Sequence, residues 1–281
     1  MTSTCSDRDG SVIQRTCVIT ENVEMAESTF RVRIDAPEIA NKIRPGQFVM
    51  IRIAGVNAPL IGRAYAAYDV VFDVDGSPRF LDLVYLRKGA LSEPLSRMPP
   101  GGQVTLWGPL GNRFDDSPCD VLIAAVGGIG QTPMRLLGRD ALQRGYAGAI
   151  AMIYGARRKS LLAGVEDFRR EGFEVDVCTD DGSAGHHGRV PDLLDPRIQQ
   201  CVADGKSVRV VTCGPEIMMQ KVAQCCERHG VACQVSMETP MACGIGICFS
   251  CVAKVRQSDG RWDYKRTCVE GPIFDAAEIV W

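Results

Sequence analysis

Apolar and polar positions alternate through residues from about 12 to 113 and then change rhythm. In this first stretch CVITENVEM, TFRVRIDA, QFVMIRIA, AYAAYDVVF, RFLDLVYLR and QVTLWG are short, rich in Val, Ile, Phe and Tyr, and punctuated by Gly and Pro. Each reads as a strand, and strands at this spacing predict a sandwich or barrel. Only SEPLSRM carries a short helical piece, while Pro45-Gly46 and Pro99-Pro100-Gly101-Gly102 read as turns.

From about 120 to 235 apolar runs alternate with amphipathic stretches. DVLIAAV is a strand, followed by the turn GGIGQTP and the helical MRLLGRDALQRG. AGAIAMIYG, FEVDVCT and SVRVVTCG are further strands, with LAGVEDFRREG and PEIMMQKVAQCCERHG as helices. This rhythm predicts a parallel sheet covered on both faces. The remainder holds two expected strands, FSCVAKVRQ and RWDYKRT. The expected division is therefore 10–113, 114–235 and 236–281.

The last segment carries the most specific chemistry. Cys243, Cys248 and Cys251 are separated by four residues and then two, and Cys268 follows seventeen positions after Cys251. This is the plant-type spacing in which four thiolates hold a 2Fe-2S cluster. Gly244 and Gly246 let the loop take tight positive-φ turns, so that it can curl and aim amide N–H groups at cluster sulfur. Zinc sites come more often as two CxxC-like pairs, and this loop is not built that way. Such a chain moves electrons one at a time.

Composition narrows the picture further. The chain has 281 residues, 46% hydrophobic and 23% charged, with net charge −2, which gives no electrostatic footprint for nucleic acid or an acidic membrane. No apolar run reaches the roughly 18 residues that span a bilayer, and MTSTCSDRDG lacks the basic-then-apolar pattern of a signal peptide. The other nine cysteines (Cys5, Cys17, Cys119, Cys178, Cys201, Cys213, Cys225, Cys226 and Cys233) are scattered. They read as reduced thiols in a chain too long for a disulfide scaffold, and the expected location is the cytoplasm.

A barrel, a nucleotide-type α/β domain and a 2Fe-2S piece together resemble the ferredoxin-reductase superfamily. METPMACGIGICFSC, WDYKRTCVEGPIF, LWGPLGNRF and TDDGS carry a closer resemblance to the electron-transfer subunits of type-B dihydroorotate dehydrogenases. The resemblance implies a β-barrel FAD domain, an α/β parallel-sheet nucleotide-binding domain and a small C-terminal 2Fe-2S segment. It also implies FAD contacts. Arg63, Ala64, Tyr65 and Ala66 sit where the family sets an Arg-x-[Tyr/aliphatic]-Ser stretch against FAD. Arg63 offers a fork of donors to the pyrophosphate, and Tyr65 can stack on the flavin. Ala66 departs from the family's Ser or Thr, leaving a backbone N–H as the donor towards flavin N5. Taken alone, Tyr65 and Tyr68 fit one face of a barrel strand.

Val84, Tyr85 and Leu86 align with the strand flanking the flavin's ribityl and adenine side. Gly89-Ala90-Leu91-Ser92 opens a short helix, with Leu91-Ser92 in place of the family's Gly-Thr; Ser92 alone reads as a helix N-cap. Gly127, Gly128 and Gly130 follow DVLIAAV as a partial dinucleotide fingerprint, weak by itself but used by the reductase family for NAD(H). The resemblance brings Cys213-Gly214-Pro215 near the nicotinamide; the same three residues also suit an ordinary strand-to-helix turn. Arg157 and Arg158 fit either a 2′-phosphate or a solvated helix start, so NADH against NADPH stays open.

The implied activity is electron transfer among NAD(H), FAD and the 2Fe-2S cluster, with no catalytic side chain assigned on this chain. The implied partner is an FMN-containing dihydroorotate dehydrogenase catalytic subunit in a heterotetramer of two plus two, in pyrimidine biosynthesis. Met241, Ile245, Ile247 and Phe249 form an apolar rim suited to docking that subunit, and Ile279, Val280 and Trp281 extend either that rim or the core. A small FAD/2Fe-2S subunit of an NADPH-ferredoxin transhydrogenase or sulfide dehydrogenase shares this architecture. A module with decayed cofactor sites is the remaining class, against which the intact four-cysteine set argues.

Overall fold

The structure, a computed structural model, describes residues 12–281; Cys5 and the MTSTCSDRDG opening lie outside the described residues, as do the first two positions of the expected barrel segment. Six strands, β1 (Ile13–Ala26), β2 (Thr29–Asp35), β3 (Phe48–Ile53), β4 (Arg63–Phe72), β5 (Pro78–Leu86) and β6 (Gln103–Leu110), close into a barrel. Its order is β1-β2-β5-β4-β3-β6, so all six sequence runs found their ladder and the open alternative, a sandwich, is excluded. Alternation explains the closure. Val49 and Ile51 point into the core with Leu81, Leu83, Val104 and Leu106, while Phe48 and Met50 point out. Two one-turn helices, α1 (Pro37–Ala40) and α2 (Ser92–Ser96), cap the connections.

The second sheet has seven strands: β7 (Cys119–Gly127), β8 (Ala147–Ala156), β9 (Glu174–Thr179), β10 (His186–His187), β11 (Val208–Cys213), β12 (Ala232–Ser236) and the late β15 (Ile273–Asp275). The order β10-β9-β8-β7-β11-β12-β15 is parallel except for the antiparallel β12–β15 pair. Helices α3 (Met134–Arg144), α4 (Val165–Arg170), α5 (Val190–Ala203) and α6 (Glu216–His229) cover it, giving one core against each face. The chain builds outward from β7 in one direction and resumes from β11 in the other. That makes the β7–β11 seam the topological switch point, where α/β sheets bind ligands.

The last segment divides its attachments. β13 (Val252–Arg256) and β14 (Trp262–Arg266) form a separate hairpin, and β15 then returns to the edge of the large sheet. Ile279 is buried in the core beneath α6, with Trp281 packed against it. Those closing residues thus serve the core and do not extend the apolar rim. Barrel and sheet are joined by a buried charge cluster. Asp69 of β4 accepts from Arg139 at 2.7 Å and faces Arg135 at 3.4 Å, both on α3, and Arg135 also pairs with Glu171 at 2.8 Å. Burial raises the Asp69 pKa, and the two arginines oppose that rise.

Candidate functional site

At the switch point two turns meet backbone to backbone. Val126 and Cys213 are register partners at the ends of β7 and β11, so GGIG and CGP leave the sheet side by side. A Cβ on Gly130 would lie 2.1 Å from the Cys213 carbonyl oxygen, an impossible contact, so only glycine permits this approach. Gly128, at φ +55°, instead faces open space, which leaves room for a ligand phosphate against the backbone.

Above this seam, between sheet and barrel, lies a cleft of about 1200 Å³. That exceeds the roughly 300–1,000 Å³ of a single small-molecule pocket. The barrel side of its lining includes Arg63, Ala64, Tyr65, Ala66, Val84, Tyr85, Leu86, Leu91 and Ser92; the sheet side includes Gly127, Gly128, Gly130, Cys213, Gly214 and Pro215. The structure thus brings both sets of nucleotide-site residues named from sequence into one space. Arg63 donates to the carbonyls of Ile61 at 3.0 Å and Gly62 at 3.1 Å, and meets no carboxylate among the described residues. Its charge is available to an anion. Tyr65 stacks on Tyr85 at 5.6 Å between ring centroids, and Tyr85 on Phe30 at 5.9 Å, making an aromatic wall. Burial pushes the Tyr65 phenol up to about 12. The Ser92 hydroxyl accepts from the Lys88 amide at 2.7 Å, so it shapes its own loop.

Several cleft residues had not been singled out in the sequence. Gln131 is 0% exposed, lines the cleft, and has no hydrogen-bond partner at either amide atom. An unpaired buried amide costs about 1–3 kcal/mol, which a polar ligand relieves. Ser236 and Glu238 line the cleft as well, and Ser236 hydrogen-bonds the Cys213 thiol, whose pKa burial pushes up to about 12 with help from the Glu238 charge. A usable signal existed: strand ends at a switch point collect ligand contacts, and Ser236 ends β12. The two arginines after β8 separate. Arg157 lines the cleft, whereas Arg158 is turned away onto Glu27 and Ser160.

The four cysteines gather on the barrel's outer face. Met50 of β3 is the register partner of Ala64 on β4 and of Trp107 on β6, so these three form one row. Cys251 and Cys268 are buried against that row together with Phe48 and Leu110. Gly244, at φ +72°, presses so close that a Cβ there would lie 2.5 Å from Met50 Cγ. The donor set suits an iron–sulfur group. Hydrogen bonds from the hydroxyl and amide of Ser250 and from Cys243 bring the Cys248 thiol down to about 6. The Gly246 amide points at Cys268, whose thiol burial otherwise pushes up to about 12. Cys248 is exposed, at the outer tip of the loop. Around it Ile247 is 75% exposed, Phe249 65% and Ile245 40%, whereas Met241 packs back onto the barrel.

Cleft and cysteine loop share strands. Ala66 and Phe48 line the cleft, and Ala64, two residues back along β4, belongs to both the cleft and the cysteine cluster. Two residues of strand span roughly 6.5–7 Å. Among the remaining described cysteines none forms a disulfide, and six of the eight are buried.

Comparison with known proteins gives a consistent picture. Residues 16–114 match the family described as the oxidoreductase FAD-binding domain, and residues 238–280 match the iron-sulfur cluster binding domain of dihydroorotate dehydrogenase B. A Desulforamulus reducens protein described as dihydroorotate dehydrogenase B (NAD(+)), electron transfer subunit, is 34% identical over 259 residues, 92% of this chain and 94% of its own. The Clostridium acetobutylicum protein of the same description is 32% identical over 261 residues, again 92% and 94%. Among solved structures, an NADH-dependent reduced ferredoxin-NADP oxidoreductase has a TM-score of 0.79 at 28% identity, covering 94% of this chain and 90% of that one.

Proposed function

The chain belongs to the family of dihydroorotate dehydrogenase B electron transfer subunits, and from that premise we propose that it carries electrons between an FMN-bearing, dihydroorotate-oxidising catalytic subunit and NAD+. The observation that carries this reading is the shared row: Ala64 borders both the nucleotide cleft and the four-cysteine loop. When bound, NAD(H) and FAD exchange a hydride and a 2Fe-2S cluster passes single electrons.

The chain's own residues supply binding and alignment. Arg63 would hold the FAD pyrophosphate, and Tyr65 and Tyr85 would wall the flavin. Ala66 gives no hydroxyl, so a hydrogen bond towards the flavin here would have to come from backbone N–H. Gly128 would let a dinucleotide phosphate approach the turn after β7, with Gly130 keeping the Cys213 turn close beside it, and Cys213, Gly214 and Pro215 would border the nicotinamide. Cys243, Cys248, Cys251 and Cys268 would hold the 2Fe-2S group as thiolates. Cys248 at the exposed tip, rimmed by Ile245, Ile247 and Phe249, faces the partner and excludes water from the crossing. No residue of this chain acts on dihydroorotate. The working assembly is a cytoplasmic heterotetramer of two plus two, in pyrimidine biosynthesis.

A second reading has one observation in its favour. The solved NADH-dependent reduced ferredoxin-NADP oxidoreductase shares this architecture over 94% of the chain, but at 28% identity against 34% and 32% for the dihydroorotate dehydrogenase B subunits, so a small FAD/2Fe-2S subunit of an NADPH-ferredoxin transhydrogenase or sulfide dehydrogenase is the weaker fit. Copurification separates the two readings, since the partner's identity by mass is either a dihydroorotate dehydrogenase or a larger ferredoxin-linked flavoprotein. The purified chain itself is expected to show flavin and 2Fe-2S absorption and to reduce artificial dyes with NADH while leaving dihydroorotate untouched. A colourless protein overturns both.

A further inference from the structure

Away from the cleft, three side chains of different chemistry converge between α5 and α6. Cys225 and His229 lie four residues apart on α6 and so share one face. Asp195 projects from α5 to meet them. Its Oδ1 accepts from Cys225 Sγ at 3.1 Å and lies 3.1 Å from His229 Nε2; the three ligand atoms lie within 4.8 Å of one another. Cys225 is fully buried, while His229 and Asp195 are half-exposed, so the group opens to solvent on one side.

We propose that Asp195, Cys225 and His229 form a second metal site, for a zinc ion, independent of the four cluster cysteines. Sulfur, imidazole nitrogen and carboxylate oxygen are the zinc donor set, with bonds of about 2.0–2.3 Å. A tetrahedron with such bonds has ligand-to-ligand edges of roughly 3.3–3.8 Å. The observed 3.1 Å edges need only a small expansion to admit the ion. Two ligands one helical turn apart plus a third from a facing element repeat the logic of helical zinc motifs. A water completes the coordination on the open side. The charges balance: thiolate and carboxylate against a divalent ion, with the Cys225 proton passing to solvent as the Zn–S bond forms.

Arg228 does not block the site. Its Nη2 donates to Asp195 Oδ1 at 2.7 Å and its side chain is exposed, so it can move to Oδ2 and orient the carboxylate from behind. A nucleophilic triad is a poorer fit, because Cys225 and His229 both turn to Asp195 and form no hydrogen bond with each other. The ion staples the C-terminal half of α6 to α5. The opposite end of α6 borders the cleft at Pro215, ten residues from Cys225 and so roughly 15 Å along the helix.

The test uses the cofactor-loaded chain equilibrated with zinc chloride and desalted, with zinc and iron measured by mass spectrometry. The expected result is about one zinc per chain at unchanged iron content and unchanged cluster EPR signal, with a melting temperature raised by zinc. His229→Gln and Asp195→Asn, both at partly exposed positions, are expected to weaken retention at least about tenfold and abolish the melting shift. Cys225→Ala is expected to do the same, but its position is buried, so the first two variants carry the decision. No retained zinc in the parent chain, undiminished retention in both variants, or zinc gained only as iron is lost would each overturn the site.

Discussion

The Trp107 indole donates a 2.9 Å hydrogen bond to the Cys243 carbonyl, across 136 positions of sequence. Trp107 belongs to barrel strand β6 and Cys243 opens the cysteine loop, so one bond fixes the loop's entry onto the barrel's outer row. Trp107→Phe keeps the ring and removes the donor. At about 0.5–1.5 kcal/mol for such a bond, we expect a few-fold faster loss of iron to a chelator with FAD content unchanged. Iron release followed by absorbance checks this.

The cysteine assignment predicts a clean separation of the two cofactors. Cys248→Ser removes one ligand at an exposed tip and is expected to bleach the cluster spectrum while FAD stays bound. A normal 2Fe-2S spectrum in that variant would mean that another cysteine is a ligand.

Arg63 has no acidic partner to satisfy it among the described residues, so its loss should register mainly in FAD binding. Removing a charge-assisted phosphate contact costs of order 1.5–3 kcal/mol, roughly a ten- to hundredfold loss in affinity. Arg63→Ala should purify partly flavin-free and regain flavin at high FAD concentration, as fluorescence titration would show.

Much of this architecture was legible because it rests on periodicity and spacing. Six alternating runs became six barrel strands, and the cysteines spaced by four, two and sixteen residues come together against the barrel wall. What was missed depends on tertiary partners. Helix α5 carries Pro191 and Pro196, which blur its pattern; the Asp192 carboxylate, accepting from the Arg189 amide, helps start it. β15 is three residues long and gains strand character only by pairing with β12. Gln131 gave no signal, since a glutamine in a turn is ordinarily solvated; only burial against the cleft gives it meaning. Asp195 and Cys225 are thirty positions apart and meet only because α5 and α6 pack together.

Buried thiols predict a limit at alkaline pH. Burial pushes Cys17 and Cys178 up to about 11 and Cys213 up to about 12, from an ordinary value of 9.0. With the folded value raised, the neutral thiol is favoured in the fold. Below pH 9 both states are neutral and nothing is lost. From about 9 upward the unfolded thiols ionise first, so stability falls until about 11–12. These three thiols should leave the melting temperature unchanged between pH 7 and about 8.5 and make it decline steeply above that. A flat profile to pH 11 would contradict these shifts.

The most direct measurement is dihydroorotate-driven NAD+ reduction with and without the FMN-bearing catalytic subunit. The chain alone should give NADH-to-dye activity and no dihydroorotate oxidation. Adding the partner should produce NADH from dihydroorotate. Ile247→Asp, which charges an exposed apolar rim residue, should lower that coupled rate at limiting partner by at least about tenfold while sparing the dye reaction. Robust dihydroorotate oxidation by the chain alone, or a coupled rate unaffected by loss of the cluster in Cys248→Ser, would contradict the account.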